Sequence, residues 1–174
     1  MHRYFALLLL CVSSSIWAAF TPQTVANVDL RRYMGTWYEV AKIPNTFQKS
    51  CIKDITVNYS LVANNQVTGV NSCRKANGQL FQMGVQGRIK DDTNAKLAFK
   101  ITSSWLRFIP MLETDYWIVD LADDYSHATV STSDGKYLWI LARQPKLAEP
   151  VYQQILQRAA KLGFATDKVV KNNT

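Results

Sequence analysis

The sequence predicts an all-β chain, an eight-stranded antiparallel up-and-down barrel with a C-terminal α-helix packed outside. Three observations predict it. Strand-length runs rich in Val, Ile, Thr and Tyr follow one another from Thr36 to Arg143, separated mostly by short polar turns. After Pro145 the apolar period changes from that of a strand to that of a helix. An indole, Trp37, opens the first strand, and a guanidinium, Arg143, ends the last. An Arg over a Trp face gives a cation–π contact of about 0.5–2 kcal/mol. Gly35, Trp37 and Arg143 are therefore expected to close the barrel floor. A β-sandwich is the competing arrangement, but its Greek-key crossings usually need longer connections than most seen here.

In chain order, Asp29 suits the cap of a short helical turn over Leu30–Met34, which breaks at Gly35. Strands are expected at Thr36–Ile43, Cys51–Val62, Gln66–Arg74, Gln79–Lys90, Lys96–Thr102, Asp115–Leu121, Ala128–Thr132 and Tyr137–Arg143. Asn77-Gly78 is the strongest hairpin turn. The apolar but irregular stretch Ser103–Thr114, with Trp105, Phe108 and Met111, suits a rim or a membrane contact. Val151, Ile155, Ala159 and Leu162 form one helical stripe, with Pro150 in its first turn and Gly163 at its stop. A short extended tail, Lys168–Val170, follows.

Composition narrows the function classes. A chain of 174 residues that is 48% hydrophobic and 19% charged is a packed globule of one domain. Its net charge is +7, but basic residues never run longer than two. That dispersal argues against a nucleic-acid footprint and leaves weak attraction to anionic membrane surfaces.

Met1–Arg3, the apolar Tyr4–Val12 and the small-residue exit Ser13–Ala19 read as a signal peptide over residues 1–19, leaving one domain at 20–174. The apolar core falls short of the about 20 residues that span a bilayer. The chain is thus expected to be exported, periplasmic or secreted. An outer-membrane lipoprotein anchored at Cys11 is the alternative, although Leu10 stands where such signals usually carry Gly, Ala or Ser. Cys51 and Cys73 then remain, an even pair in an oxidising compartment. A bridge closing this loop contributes about 3 kcal/mol in the chain-entropy model. The alternative is two free buried thiols; two Cys without a nearby His lack the ligands of a metal site.

Gly35-Thr36-Trp37-Tyr38-Glu39 and the run from Tyr137 through Arg143 to Pro145 resemble the two outer signature regions of the lipocalin family. Phe47 to Cys51, Tyr59 to Leu61 and Asn71 to Arg74 are similar to its bacterial members, and apolipoprotein D is the other close likeness. The resemblance covers roughly Asp29 to Gly163. Thr114-Asp115-Tyr116 imitates the family's middle region but precedes its strand. The matching position is Leu121 to Tyr125, a departure expected to affect the turn and not the pocket.

The resemblance implies a cavity for a small hydrophobic ligand, with no cofactor and no metal. It makes Arg143 face Trp37, Tyr116 and Ile118 interior, Trp117 exterior under the helix, and Tyr59 and Asn71 ligand-facing. Alternation along strands then adds Val57, Met83, Phe99 and Trp139 to the ligand-binding set. Leu141, Val85 and Ile101 share those faces. The interior of a barrel this size is either filled by side chains or holds one small ligand. The function implied is binding, storage or transport of fatty acids or lysophospholipids in the bacterial cell envelope.

A lipid-modifying enzyme on the same scaffold is the alternative. Nucleophilic catalysis needs a base beside Ser or Cys. After the leader the one histidine is His127, expected to pack in a turn beside Ser126. Glu39 and Arg143 are expected to form a structural charge pair near the floor. The chain has no Gly-rich phosphate loop.

Overall fold

The computed structural model describes residues 20–46, 49–62, 66–102 and 113–172. The expected leader and the stretch from Trp105 to Met111 lie outside them. A short helix, α1 (Leu30–Tyr33), leads into β1 (Gly35–Lys42). There follow β2 (Lys53–Val62), β3 (Gln66–Arg74), β4 (Leu80–Ile89), β5 (Lys96–Ile101), β6 (Thr114–Leu121), β7 (His127–Ser131) and β8 (Leu138–Ala142). Helix α2 (Glu149–Lys161) and a 3-10 turn (Thr166–Lys168) precede β9 (Val170–Lys171). Sequential strands pair antiparallel from β2 to β8, β8 pairs with β1, and β1 returns to β2. Eight strands therefore close a barrel, and β9 adds to the free flank of β1.

Local chemistry sets where the first strand begins. Asp29 Oδ1 accepts the N–H groups of Arg31 and Arg32 at 2.9 and 3.3 Å, capping α1. Gly35, at φ +91°, then turns the chain from helix into strand. Further along, Glu39 faces Leu141 whereas Ala41 faces Ile140, so Val40 is an extra residue, a β-bulge. The bulge resets which side chains of β1 face inward.

Two apolar layers follow from the alternation. The inner one holds Tyr33, Trp37, Val57, Tyr59, Leu97, Ile118, Val130 and Leu141. The outer one lies between the wall and α2, where Val40, Ala41, Val119, Leu138 and Ile140 meet Tyr152, Ile155 and Ala159. Trp117 belongs to this outer layer, with Lys96 Nζ 4.7 Å from its ring centroid.

The buried helix face centres on Tyr152, Ile155 and Ala159, while Val151 and Leu162 are only half-buried. The stripe is thus turned toward Tyr152, whose ring carries Lys171 of β9 at 4.4 Å. The helix ends in a Schellman pair, with Phe164 N donating to Ala159 O and Gly163 N to Ala160 O. Gly163, at φ +94°, makes that reversal. The extended tail begins later than expected, because Thr166–Lys168 takes a 3-10 turn before Val170 and Lys171 pair with Lys42 and Ala41.

Candidate binding site in the barrel interior

The floor is built from both chain ends. Arg143 Cζ lies 3.7 Å from the centroid of the fully buried Trp37 ring. Its Nη1 donates to Thr36 O at 2.9 Å, and its Nη2 to Arg32 O and Tyr33 O at 2.7 and 3.1 Å. Trp37 Nε1 donates to the same Tyr33 carbonyl at 2.7 Å. One planar guanidinium therefore stacks on the indole and satisfies carbonyls at the end of α1. The charge pair expected between Glu39 and Arg143 does not form: the Glu39 carboxylate points to Lys42 instead, at 2.9 Å. Below the floor, the Tyr125 hydroxyl accepts from Asp29 N at 2.8 Å, and Arg32 covers its ring at 4.0 Å. The departing Leu121–Tyr125 segment thus clasps α1.

Beside Trp37 sits a cluster of rings, with Tyr59 paired to Gly35 at the floor end of β1. Tyr33 stacks on Trp37 with centroids 4.9 Å apart, and its hydroxyl meets that of Tyr116 at 2.7 Å. Tyr59, Phe99 and Tyr116 stand 5.2–5.9 Å from one another. Such spacings and tilts suit aromatic pairs. Burial pushes all three tyrosine hydroxyls above their ordinary pKa, so they stay neutral hydrogen-bonding groups. Two glycines make room. Gly69 lies across from Tyr59 and Gly87 across from Phe99, and a Cβ on either would approach the facing ring to 2.9 or 2.5 Å.

Of the residues expected to face a ligand, Tyr59, Phe99 and Tyr116 are thus packed on one another in the lower barrel, and Ile118 is fully buried beside them. Val57 is buried opposite Trp37, and across the sheet it leads to Asn71 and then Met83, both half-buried. Val85 and Ile101 face each other in the next row. Trp139 packs against the inner layer from β8. The disulfide joins Cys51 to Cys73 with Cα atoms 5.5 Å apart, tying the β1–β2 connection to β3.

Tyr33 and Lys42 were not foreseen. Tyr33 enters the interior from a helix of four residues, too short to show a period. Lys42 would face outward by strict alternation from Trp37, but the bulge at Val40 brings it round to the side of its partner Trp139. Glu39, opposite Leu141, shares that side, and Asn172 Nδ2 donates to its Oε1 at 2.9 Å. An ion pair, with side chains 12% and 6% exposed, thus stands in the inner wall at the end of β1 away from the floor.

Similarity to known proteins agrees with this geometry. The family profile described as a lipocalin-like domain matches residues 28–174. The chain belongs to the lipocalin family. This lipocalin is 35% identical over 136 residues to rat apolipoprotein D, covering 73% of this chain and 67% of the relative. It is 29% identical over 146 residues to the outer membrane lipoprotein Blc of Escherichia coli K12, covering 84% and 79%. Among solved structures, insecticyanin from the tobacco hornworm superposes with TM-score 0.71 at 19% identity, over 91% of this chain and 88% of that one. That likeness shows the fold.

The lipocalin's histidine does not activate its neighbouring serine. His127 Nε2 lies 3.1 Å from Arg158 Nη2, a donor only, so the ring accepts there. The neutral ring then carries its proton on Nδ1, which lies 3.0 Å from Ser126 Oγ and donates to it. Burial and the Arg158 charge hold the His127 pKa below its ordinary value. Arg158 is fixed in turn by Asp120, its Nε donating at 2.9 Å. Among the described residues no three His, Cys, Asp or Glu side chains gather as metal ligands, and no helix is long and apolar enough to cross a membrane.

Proposed function

We propose that this lipocalin binds and carries a single-chain lipid, a fatty acid or a lysophospholipid, in the bacterial cell envelope. Lipocalins generally bind small hydrophobic molecules, and the observation that carries the narrower reading is the division of the inner wall along the barrel axis. The lower barrel is occupied by packed rings, so a ligand's tail rests on Tyr59, Phe99 and Tyr116. Val57, Met83, Val85, Ile101 and Trp139 supply an apolar wall above them, and Asn71 and the Glu39–Lys42 pair supply polar groups. An elongated apolar body with a polar end matches that arrangement.

Export rests on the residue 1–19 leader and on the disulfide, which suits an oxidising compartment. The soluble form is preferred, with the Cys11-anchored form as the alternative. The charge of +7 favours contact with anionic membrane, where such lipids reside.

Native mass spectrometry of protein purified without detergent tests the binding reading. Adducts with the masses of fatty acids or lysophospholipids, exchangeable for added lipid, are expected. Protein that gains no adduct with either class contradicts it. The mature mass also separates cleavage at Ala18 or Ala19 from a diacylated Cys11.

A further inference from the structure

The Glu39–Lys42 pair is an ionic group in the inner wall for which closure of the floor has no use. We propose that it is the head-group subsite of the barrel: Lys42 Nζ holds the oxyanion, carboxylate or phosphate, of the single-chain lipid, and Glu39 positions the ammonium. This rests on the lipid-binding reading above.

The placement argues for it. Taking two charges out of water is costly even when they pair, and strict alternation would have left Lys42 on the outside. One inserted residue, Val40, turns it to the side of Trp139. Lys42 ends β1 and therefore stands roughly 15 Å along the strand from Trp37. A chain that enters tail first and stops on the aromatic rings leaves its head at this upper level.

The chemistry is compatible with an added anion. An ammonium carries three donors, so a ligand oxyanion can join Glu39 on Lys42 by exchanging with a present partner of the ammonium. Glu39 Oε1 also accepts from Asn172 Nδ2 at 2.9 Å, so its carboxylate keeps a hydrogen bond while the ammonium is shared. The nearby carboxylate also disfavours a second anion, which makes Glu39 a brake on affinity and gives its removal a distinct sign.

The test measures the affinities of palmitate, palmitoyl lysophosphatidate and neutral hexadecanol for full-chain wild type, Lys42→Met and Glu39→Gln. Lys42→Met is expected to weaken binding of the charged lipids by about tenfold or more and to leave hexadecanol unchanged. Glu39→Gln is expected to tighten the charged lipids and again to leave hexadecanol unchanged. A loss confined to palmitate assigns the site to carboxylates; one confined to lysophosphatidate assigns it to phosphates. Equal changes for all three lipids, or no change for any, overturn the subsite while leaving lipid binding standing. Failure of the wild type to bind any of the three instead removes the lipid-binding reading on which the subsite rests.

Discussion

Phe99 stands directly across from Gly87, and its ring occupies the place where a Cβ on that glycine would be, 2.5 Å from the nearest ring carbon. Gly69 and Tyr59 repeat the relationship one strand pair away, at 2.9 Å. Each glycine lets a ring lie flat over the neighbouring strand, and the two rings so placed meet at 5.5 Å. Gly87→Ala should therefore destabilise by about 1–3 kcal/mol, the cost of overpacking a core. In urea titrations Phe99→Leu should recover part of that loss. Additive effects of the two changes would mean that the ring does not depend on the glycine.

The floor gives a larger effect. Trp37 is fully buried, so Trp37→Ala is expected to cost about 3–5 kcal/mol. Arg143→Lys keeps the charge but loses the planar fork that reaches Thr36 O, Arg32 O and Tyr33 O together. A loss of about 1–3 kcal/mol follows for that change. Unaltered unfolding of either variant would contradict the floor.

Stability should decline in mild acid because of His127. Its folded pKa lies below the ordinary histidine value, held down by burial and then by Arg158. Between the two pKa values the unfolded chain binds the proton and the folded chain does not, so the contribution is complete above about pH 6.5 and is lost as pH falls toward the folded pKa. Urea midpoints should fall from about pH 7 to about pH 5, and His127→Gln should flatten that slope. A wild type that gains stability over the same interval would show the sign to be wrong.

Reduction of Cys51–Cys73 frees the β1–β2 connection from β3. The sequence separation of 22 residues corresponds to a stabilisation of about 3 kcal/mol in the chain-entropy model. Oxidised protein should resist alkylation and shift its thermal midpoint down on reduction. Two alkylatable thiols in the exported, unreduced protein would contradict the bridge.

What could be read from the residues beforehand was whatever local pattern encodes. Trp37 and Arg143 carry a recognisable pair of motifs, and the alternation of β2 and β3 was enough to place Val57 and Tyr59 on one face. The bulge at Val40 was invisible, because an extra residue in a ladder is defined only by the partner strand, here Leu141 and Ile140. The orientation of Lys42 follows from that bulge and has no signal in the sequence, and Glu39 meets Lys42 there instead of the expected Arg143. The short β9, two residues paired to Ala41 and Lys42, is likewise specified by tertiary contact and not by its own sequence. Tyr33 could not be assigned to the interior because its role depends on how α1 crosses the barrel end. In α2 the expected stripe holds Ile155 and Ala159, which are buried, but it lacks the buried Tyr152 and includes Val151 and Leu162, which are half-buried.

In the proposed complex an acyl chain lies beside Trp139, above the rings packed in the lower barrel. Titration with a fatty acid brominated along its chain tests it most directly, with tryptophan emission followed in the wild type and in Trp139→Phe. Saturable quenching in the wild type, with most of its amplitude gone in the variant, is the predicted result. Equal quenching in both proteins, or none in either while native mass spectrometry shows the lipid bound, would place the chain elsewhere.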